Sequence, residues 1–444
     1  MNTVGLNLQI EYLPPGMLMP NPHNARIHNR HQRQQIAASI RAFGFTNPVL
    51  IDSRNVIIAG HGRVEAAKLL GIDQVPTVRL EGLTEDQIRA YVIADNRLAE
   101  RAGWDKQILA IELQHLNALD LNFDITTTGF EIPEIDQIFE EVRTKTAKND
   151  KDDVFEADRN GPAIAQPGDL WQLGKHRILC GNALHETSYQ TLMGSRRAHA
   201  VCSDLPYNVP IDGNVCGKGA IKHREFAMAS GEMSEAEFVS FLTTSLRLIA
   251  RHSTSGSVHY LFTDWRHCYE LLVAGRQVYD KLLNLCVWVK DNGGMGSFYR
   301  SRHELVFVFR NSKGPHRNNV QLGQYGRNRT NVWEYPGVNT LSKHGDEGNL
   351  LALHPTVKPT ALIADAILDC TARGEVILDS FLGSGTTVMA AERVGRICYG
   401  MEIDPLYVDT AIRRWQRLTG DRAIHGVSGK SFDEIATAVE ACHG

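Results

Sequence analysis

Two short segments of this chain hold the residue types best suited to chemistry. They are Ser203-Asp204-Leu205-Pro206-Tyr207 and, far downstream, Asp379-Ser380-Phe381-Leu382-Gly383-Ser384-Gly385-Thr386. Each follows a short apolar run, residues 198–202 and 375–378, that reads as a buried parallel strand. The first segment puts a carboxylate, a backbone carbonyl and an aromatic ring at a strand end. An amino group on a heteroaromatic ring is a poor nucleophile, because its lone pair is delocalised into the ring. Two acceptors on its N–H bonds favour a pyramidal nitrogen and localise that lone pair. Asp204 supplies one acceptor, the Leu205 carbonyl the second, Pro206 shapes the turn and Tyr207 offers a face to a flat base.

The second segment suits a nucleoside, since glycines after a strand let the backbone approach a ligand closely. Asp379, Phe381, Gly383, Gly385 and Thr386 are its candidate cofactor residues. Glu402 ends the next strand, about 20 residues on, where a ribose-binding acid belongs. It could instead cap the helix beginning near Pro405. No G-K-[ST] phosphate loop is present, which favours a nucleoside over a triphosphate. The rigid run His354-Pro355-Thr356-Val357-Lys358-Pro359 can line a pocket with little entropy loss, adding His354 and Lys358 to the candidates. Together the segments point to methyl transfer from a sulfonium cofactor to the exocyclic amine of a base flipped out of a duplex.

The rest of the chain must position these groups. At 444 residues, two or three domains are expected. The net charge of −4 hides an asymmetry: residues 1–160 carry 17 basic and 23 acidic side chains, whereas the remainder is net positive. Phosphate contacts depend on local patches, so this total decides nothing. No apolar stretch is long enough to span a bilayer and no secretory signal is evident, so a cytoplasmic protein without membrane contact is expected. All eight cysteines lie at Cys180 or later without a C-x-x-C pair, so neither zinc nor another metal is expected. Cys202, Cys286 and Cys398 fall in apolar strands, as small core residues.

Three regions follow: 1–105, a compact α+β unit; 106–160, a helical segment with an acidic linker; and 161–430, the chemistry-bearing domain. In the first, 36–43 reads as a helix stopping at Gly44 and 49–52 and 56–59 as strands. A helix then opens at Gly60-His61-Gly62-Arg63, and Thr84 with Gln87 forms a capping box. The third alternates strand and helix, beginning with a hairpin that turns at Gly174-Lys175. This alternation implies an α/β, Rossmann-like, doubly wound and mostly parallel sheet, with ligands at the strands' C-terminal ends.

Residues from about 166 to 420 resemble the amino-group DNA methyltransferases of the permuted type, in which the catalytic motif precedes the cofactor motif. The resemblance implies S-adenosylmethionine as cofactor and double-stranded DNA as substrate. It assigns base binding to the Asp204–Tyr207 motif, the cofactor to the Phe381–Gly385 loop and its ribose to Glu402. Two departures stand out. Leu205 replaces a proline, losing a fixed φ but keeping the carbonyl. Asn182 stands where relatives commonly have Asp beside the cofactor's adenine, and its amide can still hydrogen-bond there. The family's target-recognition position falls at 311–349, where Arg317, Arg327 and Arg329 are candidate DNA contacts. Lys218 and Arg224, in the loop after Tyr207, are two more.

The N-terminal unit resembles the ParB and sulfiredoxin-like domains through Asn21-Pro22-x-Asn24 with Arg26, the Gly60–Arg63 loop and Asp95-Asn96-Arg97. Gly60, Gly62 and Arg63 at a helix start form a candidate anion site for a nucleotide or DNA. With no cysteine in the unit, sulfiredoxin activity is not expected. The expected activity is therefore a site-specific DNA methyltransferase acting on N6 of adenine, because Asp-containing motifs lean that way in the family. N4-cytosine, RNA or protein substrates, a decayed non-catalytic ParB-like regulator, nuclease action of the first unit and a homodimer stay open as alternatives. C5-cytosine chemistry is not expected, because no Pro-Cys pair supplies a nucleophile.

Overall fold

A computed structural model describes residues 8–118, 123–146, 162–208, 231–291, 293, 298–323, 327–337 and 358–443. It divides into two compact units, Met1–Thr146 and Ala147–Gly444.

The first unit contains β1 (Ile10–Leu13), α1 (Arg30–Phe43), β2 (Val49–Ile51), β3 (Ile57–Ala59), α2 (His61–Leu70), β4 (Val75–Arg79), α3 (Glu85–Arg101), α4 (Lys106–Ala118) and α5 (Ile132–Thr146). Its sheet runs β1-β4-β2-β3. The punctuation expected from sequence is present. Gly44 ends α1 at φ 80, and the Thr84–Gln87 capping box opens α3. Strand β1 was not foreseen; it is short and half exposed, so its apolar alternation is weak. Helices α4 and α5 pack through Ala110, Leu113, Ile135 and Ile138.

The second unit contains β5 (Leu170–Leu173), β6 (His176–Cys180), α6 (Glu186–Met193), β7 (Ala198–Asp204), α7 (Glu235–Arg251), β8 (Ser253–Thr263), α8 (Cys268–Val278), β9 (Lys281–Val289), β10 (His303–Arg310) and β11 (Val332–Glu334). It continues through α9 (Thr360–Cys370), β12 (Val376–Asp379), α10 (Thr386–Arg393), β13 (Ile397–Glu402), α11 (Pro405–Thr419), β14 (Ile424–His425) and α12 (Phe432–His443). The ten-stranded sheet runs β11-β9-β10-β8-β7-β12-β13-β6-β5-β14. Its central strands β8, β7, β12, β13 and β6 are parallel neighbours.

Both faces are covered, and β7 shows why. Val201 faces a core with Leu246 and Leu271 of α7 and α8, while Ala200 and Cys202 face a second core with Leu362 and Ile367 of α9. A period of two with both sides apolar is what a strand buried between helix layers requires. Cys202, Cys286 and Cys398 are buried in these cores. The hairpin turns where expected, with Leu173 opposite His176.

Candidate active site

Strands β7 and β12 lie side by side, with Ala200 opposite Ile377 and Val201 opposite Leu378. Their C-terminal ends therefore release the Asp204 and Asp379 segments at the same sheet edge. The Ser203 hydroxyl donates to Asp379 Oδ1 at 2.9 Å, joining the two motifs directly.

At the base motif, Tyr207 Oη donates to Asp204 Oδ1 at 2.6 Å, and Lys358 Nζ donates to Asp204 Oδ2 at 2.5 Å. Lys358 Nζ also lies 3.1 Å from Glu304 Oε2, whose second oxygen pairs with Lys290. Lys358 was expected to line the cofactor pocket; its ammonium is instead seated against the base motif's carboxylate. Glu304 was missed altogether. The available signal was a lone acid at the head of the apolar run 303–309, which a sequence pattern cannot separate from an ordinary strand start.

Burial raises the Asp204 carboxyl above its ordinary range, and Lys358 only partly opposes this. Burial would raise Glu304 as well, but Lys358 and Lys290 together hold it well below the usual carboxylate range. Burial disfavours the Lys358 ammonium, yet Asp204 and Glu304 outweigh it and raise the pKa, so the lysine stays charged. Leu205 has a clear structural use: its side chain is 3% exposed within the core that holds Leu179 and Phe241. A proline would fill that site less fully.

The cofactor loop is tightly ordered by its own side chains. Asp379 accepts from Phe381 N and from Thr387 Oγ1, the latter at 2.6 Å, and burial raises its carboxyl to about 6. Gly385 caps α10 at φ 89, and a Cβ there would meet the Ala411 Cβ at 2.7 Å. The glycine thus serves helix packing as much as any ligand. Thr386 is the first, buried residue of α10. Glu402 accepts from Gly383 N at 2.8 Å and Asp404 N at 2.9 Å, and burial lifts its carboxyl to about 7. Each of its oxygens keeps a lone pair for a ribose hydroxyl.

Gly181 N donates to the Glu402 carbonyl, which brings the Asn182 loop alongside. The Asn182 side chain accepts from Leu184 N at 2.8 Å, an Asx turn that orders this loop. A cleft of about 430 Å³ lies between Leu184 and α7, lined also by Met233, Ser240 and Phe241. The Phe241 ring sits 6.3 Å from that of Phe381. Its size is in the range of small-molecule sites. The glycine loop, the acid and the Asx loop together fit a nucleoside cofactor.

The candidate DNA contacts fare differently. Arg327 is 4% exposed and pairs with Asp369 at 2.7 Å; Arg329 pairs with Asp365 and Asp369. Both guanidinium groups are turned onto acids of α9, which anchors their segment there and differs from the outward-facing DNA contacts expected for these two. Arg317 is half exposed beside Glu375. Lys218, Arg224 and His354 lie outside the described residues. A surface missed from sequence is the β9–β10 connection, where Phe298 and Tyr299 are each 84% exposed with ring centroids 4.3 Å apart. Because β10 runs antiparallel to β8, this connection falls at the same sheet edge as Asp204.

In the first unit, the three short motifs converge. Arg26 Nη1 donates to Asn96 Oδ1 at 3.1 Å, and Asn21 N donates to His61 Nε2 at 3.1 Å. Gly60 adopts φ 106, and any Cβ there would lie 2.9 Å from the Arg63 guanidinium. Arg63 Nη2 donates to the Pro48 carbonyl, and burial lowers its pKa despite Asp95 nearby.

Comparison with known proteins finds three family models along the chain. Residues 198–413 match the DNA methylase family, 107–167 the ParB-methyltransferase HTH domain and 3–96 the ParB N-terminal domain. The chain therefore carries an amino-group (N6/N4) DNA methylase domain and a ParB N-terminal domain. The ParB-like nuclease domain-containing protein YnaK of Escherichia coli (strain K12) is 54% identical over 80 residues, 18% of this chain and 92% of that protein. Type II methyltransferase M.ScaI of Streptomyces caespitosus is 40% identical over 95 residues, 21% of this chain and 31% of its own length. Type II methyltransferase M2.MboI of Moraxella bovis is 30% identical over 146 residues, 31% of this chain and 51% of its own length. The chain thus spans a third to a half of these two methyltransferases. The HTH match falls on α4 and α5, where sequence reading found only helices and a charged linker.

Proposed function

We propose that the second unit methylates the exocyclic amine of a base in double-stranded DNA, using S-adenosylmethionine, with N6 of adenine as the target before N4 of cytosine. The observation that carries this reading is the adjacency of β7 and β12, which delivers Asp204 and the Asp379–Gly385 loop to one edge joined by Ser203. When bound, the cofactor supplies an electrophilic methyl group on sulfur. The Gly383–Thr386 turn and Glu402 hold its nucleoside, and Asp379 keeps that turn rigid. Asp204 and the Leu205 carbonyl accept the two N–H bonds of the target amine, and Tyr207 packs on the base. The buried surroundings strengthen these acceptor contacts relative to water. The proton released on transfer passes to water or to Asp204.

Phe298 and Tyr299 give this edge an exposed aromatic pair near Arg300 and Arg302, a mixture suited to stacking on bases beside a phosphate backbone. For the first unit, the Gly60–Arg63 helix start suits the phosphate of a nucleotide or of DNA, and α4–α5 suits DNA reading. Purified protein is incubated with methyl-labelled cofactor and separate DNA, RNA and protein substrates. Label in duplex DNA alone is expected; label only in RNA or protein refutes the reading.

A further inference from the structure

We infer that Lys358 is a two-position counterion: it sits on Asp204 while no base is bound and is retained by Glu304 when the target amine takes its place on Asp204. The inference rests on the amine-methylating reading of Asp204 and assigns Lys358 and Glu304 as positioning residues for it.

The geometry of the resting site motivates it. Both Asp204 oxygens are taken, one by the Tyr207 hydroxyl and one by the Lys358 ammonium. Each oxygen keeps a second lone pair, but an incoming amine draws on the same negative charge and so competes with the ammonium for Asp204. The side chain of Lys358 is 5% exposed, so its ammonium cannot simply turn into water. A displaced buried cation is tolerated only if another anion receives it. Glu304 Oε2 is already 3.1 Å away, on a side chain 7% exposed. Lys290 engages the other Glu304 oxygen and keeps the acid ionised, while Oε2 faces both the Lys358 ammonium and, at 3.1 Å, the Tyr207 hydroxyl. The Nζ also lies 5.7, 5.5 and 5.8 Å from the ring centroids of Tyr207, Phe262 and Trp288. These rings favour a cation anywhere between the two carboxylates. Two acids and two lysines stay balanced whether or not a neutral amine enters.

Neutralising Glu304 and neutralising Lys358 shift the ionisation of Asp204 in opposite directions. Glu304→Gln removes the carboxylate that competes with Asp204 for Lys358, and with it a neighbouring negative charge. The acid limb of the kcat/KM profile then moves to lower pH by roughly one unit. The KM for DNA rises roughly tenfold, because the amine now competes with an undivided ammonium. Lys358→Met strips Asp204 of its counterion and moves the limb to higher pH. Lys358→Arg and Glu304→Asp keep the charges and hold the limb near the wild-type position.

The full-length protein is assayed for methyl transfer to duplex DNA between about pH 5 and 9, with cofactor affinity measured by calorimetry on every variant. Opposite limb shifts with unchanged cofactor affinity support the inference. Limbs that stay put, or move the same way, overturn it. The thermal midpoint against pH reads the same ionisation without turnover. A wild-type protein that transfers no methyl group but shows the opposed thermal shifts refutes the proposed reaction while leaving the shared-counterion arrangement standing.

Discussion

The hydroxyl of Ser203 donates to Asp379 Oδ1 across 2.9 Å, so the penultimate residue of the base-binding strand is bonded to the last residue of the cofactor strand. The two residues are 176 positions apart in the chain. The inverted motif order is therefore a matter of where the chain enters the sheet. The neighbours in space are those the chemistry needs.

Asp204→Ala removes the carboxylate acceptor from the partly exposed edge of this site. Methyl transfer is expected to fall by at least about 10²–10³-fold. Cofactor affinity, measured by calorimetry, should stay within roughly twofold, since Glu402 and the glycine turn are untouched.

Arg327→Ala leaves Asp365 and Asp369 short of a buried partner. A loss of about 3 kcal/mol in unfolding free energy is expected by denaturant titration. The salt dependence of DNA binding should not change, because Arg327 is enclosed by its ion pairs. A shallower salt slope in a variant that is still folded would return Arg327 to the DNA surface.

How much of this was legible in the sequence follows from what each feature depends on. Strand β7, the Gly385 turn and the Thr84 capping box depend on local pattern, and all three stand where the residues put them. The pairing of Lys358 with Asp204 spans 154 positions, and the capture of Arg327 by Asp369 spans 42. An arginine in a Gly- and Asn-rich segment looks like a phosphate contact until the helix bearing its acids is seen beside it. Glu304 is polar at a strand start, where polar residues are common, so nothing marked it before the lysines converged.

Glu402 and Asp379 carry carboxyls raised to about 7 and about 6. A raised folded-state pKa contributes stability that is complete below the ordinary carboxylate value and is lost as pH rises through the raised one. Glu402→Gln removes one such titration. Relative to wild type, and whatever its constant offset, the variant should gain thermal stability as the pH rises from about 6 to 8. A flat difference across that range would contradict the raised Glu402.

Gly385→Ala places a Cβ 2.7 Å from that of Ala411 and forces a non-glycine residue to φ 89. A loss of roughly 1–3 kcal/mol is expected by thermal or denaturant unfolding. If stability is unchanged while cofactor affinity collapses, the glycine serves the ligand and not the helix contact.

Replacing both Phe298 and Tyr299 by Ala removes the exposed aromatic pair. Each base stack is worth about 1–3 kcal/mol, so the KM for DNA should rise tenfold or more with cofactor affinity unaffected. An unchanged KM would place DNA elsewhere on this surface.

The central claim is tested most directly by resolving the nucleosides of duplex DNA after incubation with the purified protein and methyl-labelled S-adenosylmethionine. The account predicts label in N6-methyladenine with the wild-type chain and none with Asp204→Ala. Label in N4-methylcytosine would correct the base and keep the mechanism. Label that persists with Asp204→Ala would contradict the account.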